Sequence, residues 1–219
     1  MLDLEKAHRM SLTMQVEVSL KSALIIGALK PGARLITKEI ANQLGTSITP
    51  VREALLRLVS SGALTATPAQ AFLVPQLTLE RYDEINHIRK NLEGMAAAMA
   101  AAQVTSENIR ELRHLCEAFV EHRQAGNVEQ ALRAHHKFRF RLYEYAKMPT
   151  LYALIEQLWI RIGPGFNYLY PQPENISSSQ FDYQDLILAL EHKDNEASSD
   201  AVCRAIDEGV SLVKNQYLR

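Results

Sequence analysis

Residues 37–62 constrain the fold more than any other stretch, because their pattern indicates two short helices separated by a tight turn. Thr37 is a candidate N-cap for the first helix, and Gly45 can adopt the left-handed backbone conformation that ends it. The apolar positions between them recur with helical spacing at Ile40, Ala41 and Leu44. We therefore expect a first helix of about two turns.

The second helix of this pair carries two arginines. Thr49 is its candidate N-cap, and Pro50 suits the first helical position, where a missing N–H has no partner to lose. Its apolar stripe consists of Val51, Leu55, Leu58 and Val59. Arg52 and Arg57 lie away from the centre of that stripe and can face outward, where a guanidinium can bind phosphates or guanine. The pattern favours a helix-turn-helix whose second helix reads DNA.

The segments on either side complete a winged helix-turn-helix. Apolar residues with helical spacing predict a supporting helix within residues 13–28. After Gly62, short runs rich in β-branched and aromatic residues predict two strands, in residues 63–67 and 72–75. The predicted wing tip, residues 68–71, carries no positive charge, so we do not expect a strong minor-groove contact from it.

Beyond a short linker, the chain has a helical pattern throughout. Six helical segments with short connections predict an antiparallel α bundle. They cover residues 79–102, 106–124, 128–146, 150–162, 179–192 and 195–217. Ser106 is the expected cap of the second segment, and Gly163-Pro164-Gly165 is expected to break or kink the fourth.

The first bundle helix places a stripe of apolar residues on one face and is followed by an alanine-dense stretch that allows close helix approach. This stripe consists of Ile85, Ile88, Leu92, Met95, Met99 and Ala102. The predicted fold is therefore mainly α. It comprises a winged helix-turn-helix domain in residues 1–76 and an all-α bundle domain in residues 77–219.

Charge and composition narrow the class of protein. Residues 1–76 hold eight Lys/Arg and five Asp/Glu, whereas residues 77–219 hold sixteen and twenty, which fits a DNA-facing head on an acidic body. No apolar run approaches the ~20 residues of a membrane span, so we expect no membrane partner and a cytoplasmic location. Cys116 and Cys203 are expected to be reduced. An enzyme is not expected, because the sequence has no phosphate-binding glycine loop and no nucleophile elbow.

Two stretches carry a family resemblance. GALKPGARL and LGTSITPVREALLRLVSSGAL resemble the DNA-binding head of the GntR transcriptional regulators, and RKNLEGMAAAMAA resembles the start of the FCD domain of their fatty-acid-regulator-like (FadR-like) branch. The resemblance implies a homodimer that binds a palindromic operator in double-stranded DNA, with a small-molecule effector in each bundle. The expected DNA contacts are Arg34, Thr37, Ser47, Thr49, Pro50, Arg52 and Arg57. The chain departs from the family at Ile48, where an arginine is common, and at Gln70 and Ala71 in the wing tip.

The resemblance also bears on a metal site. Many FCD domains hold a divalent metal with one Asp and three His, and the matching positions here are His135, Arg139, Tyr183 and Ala205. A guanidinium is permanently cationic and has no lone pair for a metal. We therefore expect the usual metal site to be absent and no cofactor to be bound.

His135 and Arg139 interrupt an otherwise apolar face of the third bundle helix, so a buried charge there needs a partner. One hypothesis is that Arg139, with His135, Tyr183 and Arg89, binds the carboxylate or phosphate of an organic effector. The alternative is that Arg139 pairs with an internal acidic residue, either Glu93 or Asp185.

Two further questions concern the bundle. It could have lost effector binding and serve only the assembly of a DNA-binding dimer. A metal site rebuilt from the histidines is also conceivable, but their spacing matches no standard motif, and surface imidazoles are the expected interpretation. The histidines in question are His114, His122, His135 and His136.

Overall fold

The computed structural model describes residues 10–68, 71–169 and 183–217. Within these ranges the chain forms nine α-helices, one 3-10 helix and three short strands. The head contains α1 (Leu12–Ile25), β1 (Arg34–Leu35), α2 (Thr37–Gln43), α3 (Ile48–Ser60), β2 (Thr65–Ala66) and β3 (Phe72–Leu73). The bundle contains α4 (Leu79–Gln103), α5 (Ser106–Gln124), α6 (Val128–Tyr145), α7 (Pro149–Ile162), the 3-10 helix (Gly163–Leu169), α8 (Gln184–Glu191) and α9 (Asn195–Tyr217). The predicted mainly α fold is confirmed.

The head is a winged helix-turn-helix with one strand that the sequence pattern did not reveal. The two predicted wing strands are present as β2 and β3, although each is shorter than expected. Arg34 and Leu35 form the additional strand, β1, and the antiparallel sheet has the order β1-β3-β2. Two residues of the predicted wing tip, 69 and 70, lie outside the described residues.

The N-terminal caps of α2 and α3 differ from the predicted ones. Ile36 holds the N-cap position of α2 without a side-chain hydrogen bond, so Thr37 is the first helical residue and not the cap. Ser47, with φ −78° and ψ 164°, holds the N-cap position of α3, so Thr49 is not the cap and Pro50 is the third helical residue. Pro50 is tolerated there because the N–H groups of the first helical turn lack intrahelical partners.

Side-chain hydrogen bonds cap the N-termini of the first two bundle helices. The Thr78 hydroxyl accepts from the Arg81 N–H at the start of α4. At α5 the cap is Thr105 rather than the predicted Ser106, because Thr105 and Asn108 each accept a hydrogen bond from the other's backbone N–H. The expected break after α7 is a change of helix type, since the 3-10 helix begins at Gly163.

The apolar stripe noted on α4 is mostly exposed. Ile88, Met95 and Met99 are 40–49% exposed, and the helix buries its neighbouring face instead. That face carries Tyr82, Ile85, Asn86, Arg89, Glu93, Gly94, Ala96, Ala97, Ala100 and Ala101. Its small residues permit close packing: a Cβ added to Gly94 would lie 2.7 Å from the Ser199 Oγ of α9. The buried face is therefore the one whose small residues allow close helix approach, as the alanine-dense stretch suggested.

Candidate functional site

The centre of the bundle contains a cluster of buried charged and aromatic side chains around Glu93. Glu93 is fully buried, and its carboxylate accepts from Arg89 Nε at 2.6 Å and from Arg139 Nη2 at 2.6 Å. It also accepts from Trp159 Nε1 at 2.9 Å and from the Tyr143 hydroxyl. Helices α4, α6 and α7 thus meet at one carboxylate.

The predicted effector residues all lie at this cluster. Arg139 Nη1 donates to the Tyr183 hydroxyl at 3.1 Å, and Arg139 Nε donates to the Tyr143 hydroxyl at 2.7 Å. His135 Nε2 lies 2.8 Å from the same Tyr183 hydroxyl. Arg89 stands on the other side of Glu93, where Nη1 also donates to Asn86 Oδ1 at 2.7 Å. We call Arg89, Glu93, His135, Arg139, Tyr143, Trp159 and Tyr183 the central cluster.

Of the two interpretations of His135, a surface imidazole or a group on the inward face of α6, the structure supports the second. Its ring lies 5.1 Å from Phe119, 5.6 Å from Trp159 and 6.0 Å from Tyr183, measured between ring centroids. Burial and the positive charges of Arg139 and Arg89 hold the pKa of His135 well below its usual value. The imidazole is therefore neutral at pH 7.

Glu93 is ionised and lies between the guanidinium groups of Arg89 and Arg139. Burial alone would raise the pKa of Glu93, but the guanidinium groups of Arg89 and Arg139 outweigh it and hold the pKa below its ordinary value. Burial alone would lower the pKa of Arg139, but the oxygens of Tyr143, Tyr183 and Glu93 raise it. Among the described residues, the central cluster thus combines two cations, one anion and a neutral histidine.

Of the two acidic partners considered for Arg139, the structure selects Glu93. Asp185 lies on α8 and accepts instead from Arg204 Nη2 at 3.3 Å. The sequence did not reveal the roles of Glu93, Tyr143 and Trp159 as a set. One signal was available, because Glu93 follows Arg89 by four residues, a spacing at which opposite charges meet on a helix.

In the part of the chain that the structure describes, no three His, Cys, Asp or Glu side chains converge in a way that could hold a metal ion. Of the four positions matched to the family's metal ligands, His135, Arg139 and Tyr183 come together, while Ala205 is partly buried on α9. A missing metal site stays a prediction that rests on the chemistry of Arg139. Cys116 and Cys203 are both free thiols.

The predicted DNA contacts are distributed over β1, α2 and α3 of the head. Ser47, Thr49 and Arg52 are exposed at the start of α3, and Arg34 is exposed on β1. Thr37 and Pro50 are partly buried at the starts of α2 and α3. Arg57 lies farther along α3, where Nη1 contacts Glu17 Oε2 of α1 at 3.2 Å. The start of α3 thus exposes polar side chains to solvent, which is compatible with the predicted DNA contacts, whereas Arg57 has an acidic partner.

The head and the bundle each match a known family. Residues 12–74 match the family described as "Bacterial regulatory proteins, gntR family", and residues 84–208 match the FCD domain. The chain belongs to the GntR family. It is a DNA-binding transcriptional regulator with an FCD domain.

Individual relatives agree with this assignment. The HTH-type transcriptional regulator McbR of Escherichia coli (strain K12) is 46% identical over 216 residues, which cover 98% of each chain. The solved structure titled "E. coli McbR/YncC" has a TM-score of 0.87 at 46% identity and covers 95% of this chain and 100% of its own. A putative GntR regulator from Rhodococcus sp. RHA1 shares the fold, with a TM-score of 0.74 at 19% identity over 94% of this chain and 99% of its own. In the described ranges, no helix has the length and apolar character needed to cross a bilayer.

Proposed function

We propose that this GntR regulator changes its operator affinity when a small organic anion binds at the central cluster. The observation that supports the proposal is the excess of positive charge there. Arg89 and Arg139 are only 4% and 1% exposed. Among the described residues of the cluster, both bond the same carboxylate, that of Glu93. A buried charge without full compensation is costly, so a second anion entering the cluster gains a strong interaction.

The chemistry of the cluster suits a carboxylate or phosphate joined to an apolar body. Guanidinium groups bind such anions through paired hydrogen bonds, and the hydroxyls of Tyr143 and Tyr183 already lie against Arg139. The rings of Phe119 and Trp159 both lie against His135, at centroid distances of 5.1 Å and 5.6 Å, and provide apolar surface at the cluster. The role proposed is regulatory and not catalytic, in line with the regulator names of the relatives.

A second candidate function is a DNA-binding dimer whose bundle serves only assembly. It is favoured by the internal pairing of the cluster, since Glu93 already bonds both arginines, Tyr143 and Trp159. A site that satisfies its own polar groups needs no ligand to be stable.

A thermal-shift screen separates the two candidates. The purified protein is heated with millimolar carboxylic acids, sugar acids, phosphorylated sugars and acyl thioesters, alongside neutral analogues of each. A ligand that binds only the folded state raises the melting temperature by mass action. The effector proposal expects stabilisation by one anionic class and none by its neutral analogues. Stabilisation by no anion in the panel favours the assembly-only candidate.

We further propose that the protein acts as a homodimer on a palindromic operator and that α4 supplies a dimer contact. Ile88, Met95 and Met99 are exposed at spacings of seven and four residues, which places them on one face of a 25-residue helix. A two-fold axis uses the same patch on both subunits, so one apolar stripe can cover itself. Analytical ultracentrifugation should show a dimer that Met95→Glu converts to a monomer. Met148→Glu, which alters another exposed methionine, should remain dimeric.

A further inference from the structure

Helix α7 reaches from the central cluster to the C-terminal end of α3, which we call the recognition helix because it is the helix expected to read DNA. Arg161 Nε donates to the backbone carbonyl of Ser61 at 2.8 Å, and Ser61 is the C-cap of α3. Carbonyls at a helix C-terminus lack intrahelical partners, and a cation beside them is stabilising. Gly62 has a φ of +73° and leaves its open side to the Arg161 guanidinium. A bundle residue therefore caps the DNA-reading helix.

A chain of alternating charges forms a second connection between α7 and α3. Glu156 of α7 contacts Lys21 of α1 at 3.1 Å, and Lys21 contacts Glu17 at 3.4 Å. Glu17 in turn contacts Arg57 of α3 at 3.2 Å. Burial alone would lower the pKa of Lys21, but Glu156 and Glu17 raise it, so Lys21 stays charged between them.

The end of α7 is also pressed against the head by a backbone contact. A Cβ added to Gly163 would lie 2.3 Å from the Leu24 carbonyl oxygen and 2.7 Å from the Ile25 Cα. Main chain thus meets main chain at this point, and neither α1 nor α7 can slide along the other without opening the contact.

The same helix carries Trp159, which joins it to the central cluster. Trp159 Nε1 donates to Glu93 at 2.9 Å, and the Arg89 guanidinium lies 4.9 Å from the centre of its ring. Glu156, Trp159 and Arg161 lie within two turns of one helix, so a displacement of Trp159 carries the two head contacts with it.

We propose that α7 transmits the state of the central cluster to the recognition helix, through the Arg161 cap of α3 and through the ion chain that ends at Arg57. In this role Arg57 positions α3 and does not read bases. The inference rests on the proposed regulatory function of the cluster, but its test requires no effector.

A double-mutant cycle on operator affinity tests this coupling. The DNA probe is a double-stranded fragment selected in vitro for tight binding to the full-length wild-type protein. Glu93→Gln perturbs the cluster, and Arg161→Gln combined with Lys21→Met opens both connections. With the connections intact, Glu93→Gln should change the operator Kd by roughly 2- to 30-fold, the range expected for energetic coupling between distant sites. With both connections opened, the same substitution should change the Kd less than about twofold.

Control and replacement variants accompany this cycle. Arg113→Gln removes an exposed ion pair within the bundle, to Glu191, and should leave the effect of Glu93→Gln intact. Trp159→Phe is a milder perturbation that removes one donor, and it replaces Glu93→Gln if that variant fails to fold. Arg161→Gln combined with Glu156→Gln also opens both connections, and it replaces the first opening variant if that variant fails to fold. Equal Kd changes in the intact and opened proteins, or no change from either cluster variant in the intact protein, would overturn the proposal. Neither result affects ligand stabilisation in the thermal-shift screen, which tests the proposed function separately.

Discussion

Neutralising Glu93 should destabilise the bundle far more than neutralising an exposed glutamate with similar partners. In Glu93→Gln, the guanidinium groups of Arg89 and Arg139 remain buried but lose the one charge that compensates them among the described residues. Removing one partner of a buried ion pair costs about 3–5 kcal/mol. For a chain of this size, that cost lowers the melting temperature by about 6–20 °C.

Glu111→Gln is the matched control. Glu111 also bonds an arginine and a tyrosine, Arg141 and Tyr145, but its side chain is 42% exposed. An exposed ion pair contributes at most about 1 kcal/mol, so this variant should melt within about 4 °C of the wild type. The two variants remove the same charge from similar partners and differ in burial.

Urea unfolding followed by tryptophan fluorescence measures the free energy of unfolding with a probe inside the cluster, because Trp159 is the only tryptophan in the chain and bonds Glu93. The depressed pKa of Glu93 adds a pH signature. The stabilisation is fully present above the unfolded pKa of about 4.3 and is lost as the pH falls through the folded pKa, so wild type and variant should converge in acid. Equal destabilisation by Glu93→Gln and Glu111→Gln at pH 7 would refute the reasoning.

Three further predictions concern the head, the histidine and the domain junction. Arg52→Ala should abolish specific operator binding in gel-shift assays while circular dichroism remains unchanged; retained specific affinity would show that the start of α3 is not the reading surface. Because the pKa of His135 is depressed in the folded protein, the unfolded state binds more protons below about pH 6.5, and the wild type loses stability between pH 7 and pH 5. His135→Gln should make this loss smaller in urea unfolding. An unchanged pH dependence would contradict a neutral His135. Gly163→Ala should destabilise the protein by about 1–3 kcal/mol through its collision with the α1 backbone. Gly165→Ala in the same 3-10 helix should be nearly neutral, since its nearest neighbour would be Tyr82 at 3.7 Å, and equal effects of the two alanines would argue against the tight junction.

The helices of this chain could be predicted from its sequence, whereas several of their caps could not. Where two hydroxyl residues lie close together, as with Ser47 and Thr49 or Thr105 and Ser106, either can cap a helix. Backbone conformation decides between them: Ser47 and Thr105 are extended, so the helices begin directly after them. Strand β1 was not predicted, because Arg34 and Leu35 follow Pro31-Gly32 and lie outside any run of β-branched or aromatic residues.

The orientation of α4 and the composition of the central cluster depend on packing between distant segments. One face of α4 offers bulky apolar side chains and the other offers alanines with an arginine and a glutamate, so the helix alone does not reveal which face is buried. The family resemblance indicated His135, Arg139 and Tyr183, which do meet. Glu93 joins them because α4 packs against α6, and Trp159 joins them because α7 packs against α4. No local pattern in the sequence indicates either contact.

The most direct test of the regulatory account is operator affinity with and without the anion that most stabilises the protein in the thermal-shift screen. Fluorescence anisotropy with labelled operator DNA, at saturating anion, should show a Kd change of about 5- to 150-fold, as expected for allosteric coupling between two binding sites. Arg139→Lys keeps the charge but loses the paired donor geometry, and it should require a much higher anion concentration for the same change. An operator Kd that does not respond to a bound anion, or a response that is the same in Arg139→Lys, would contradict the account.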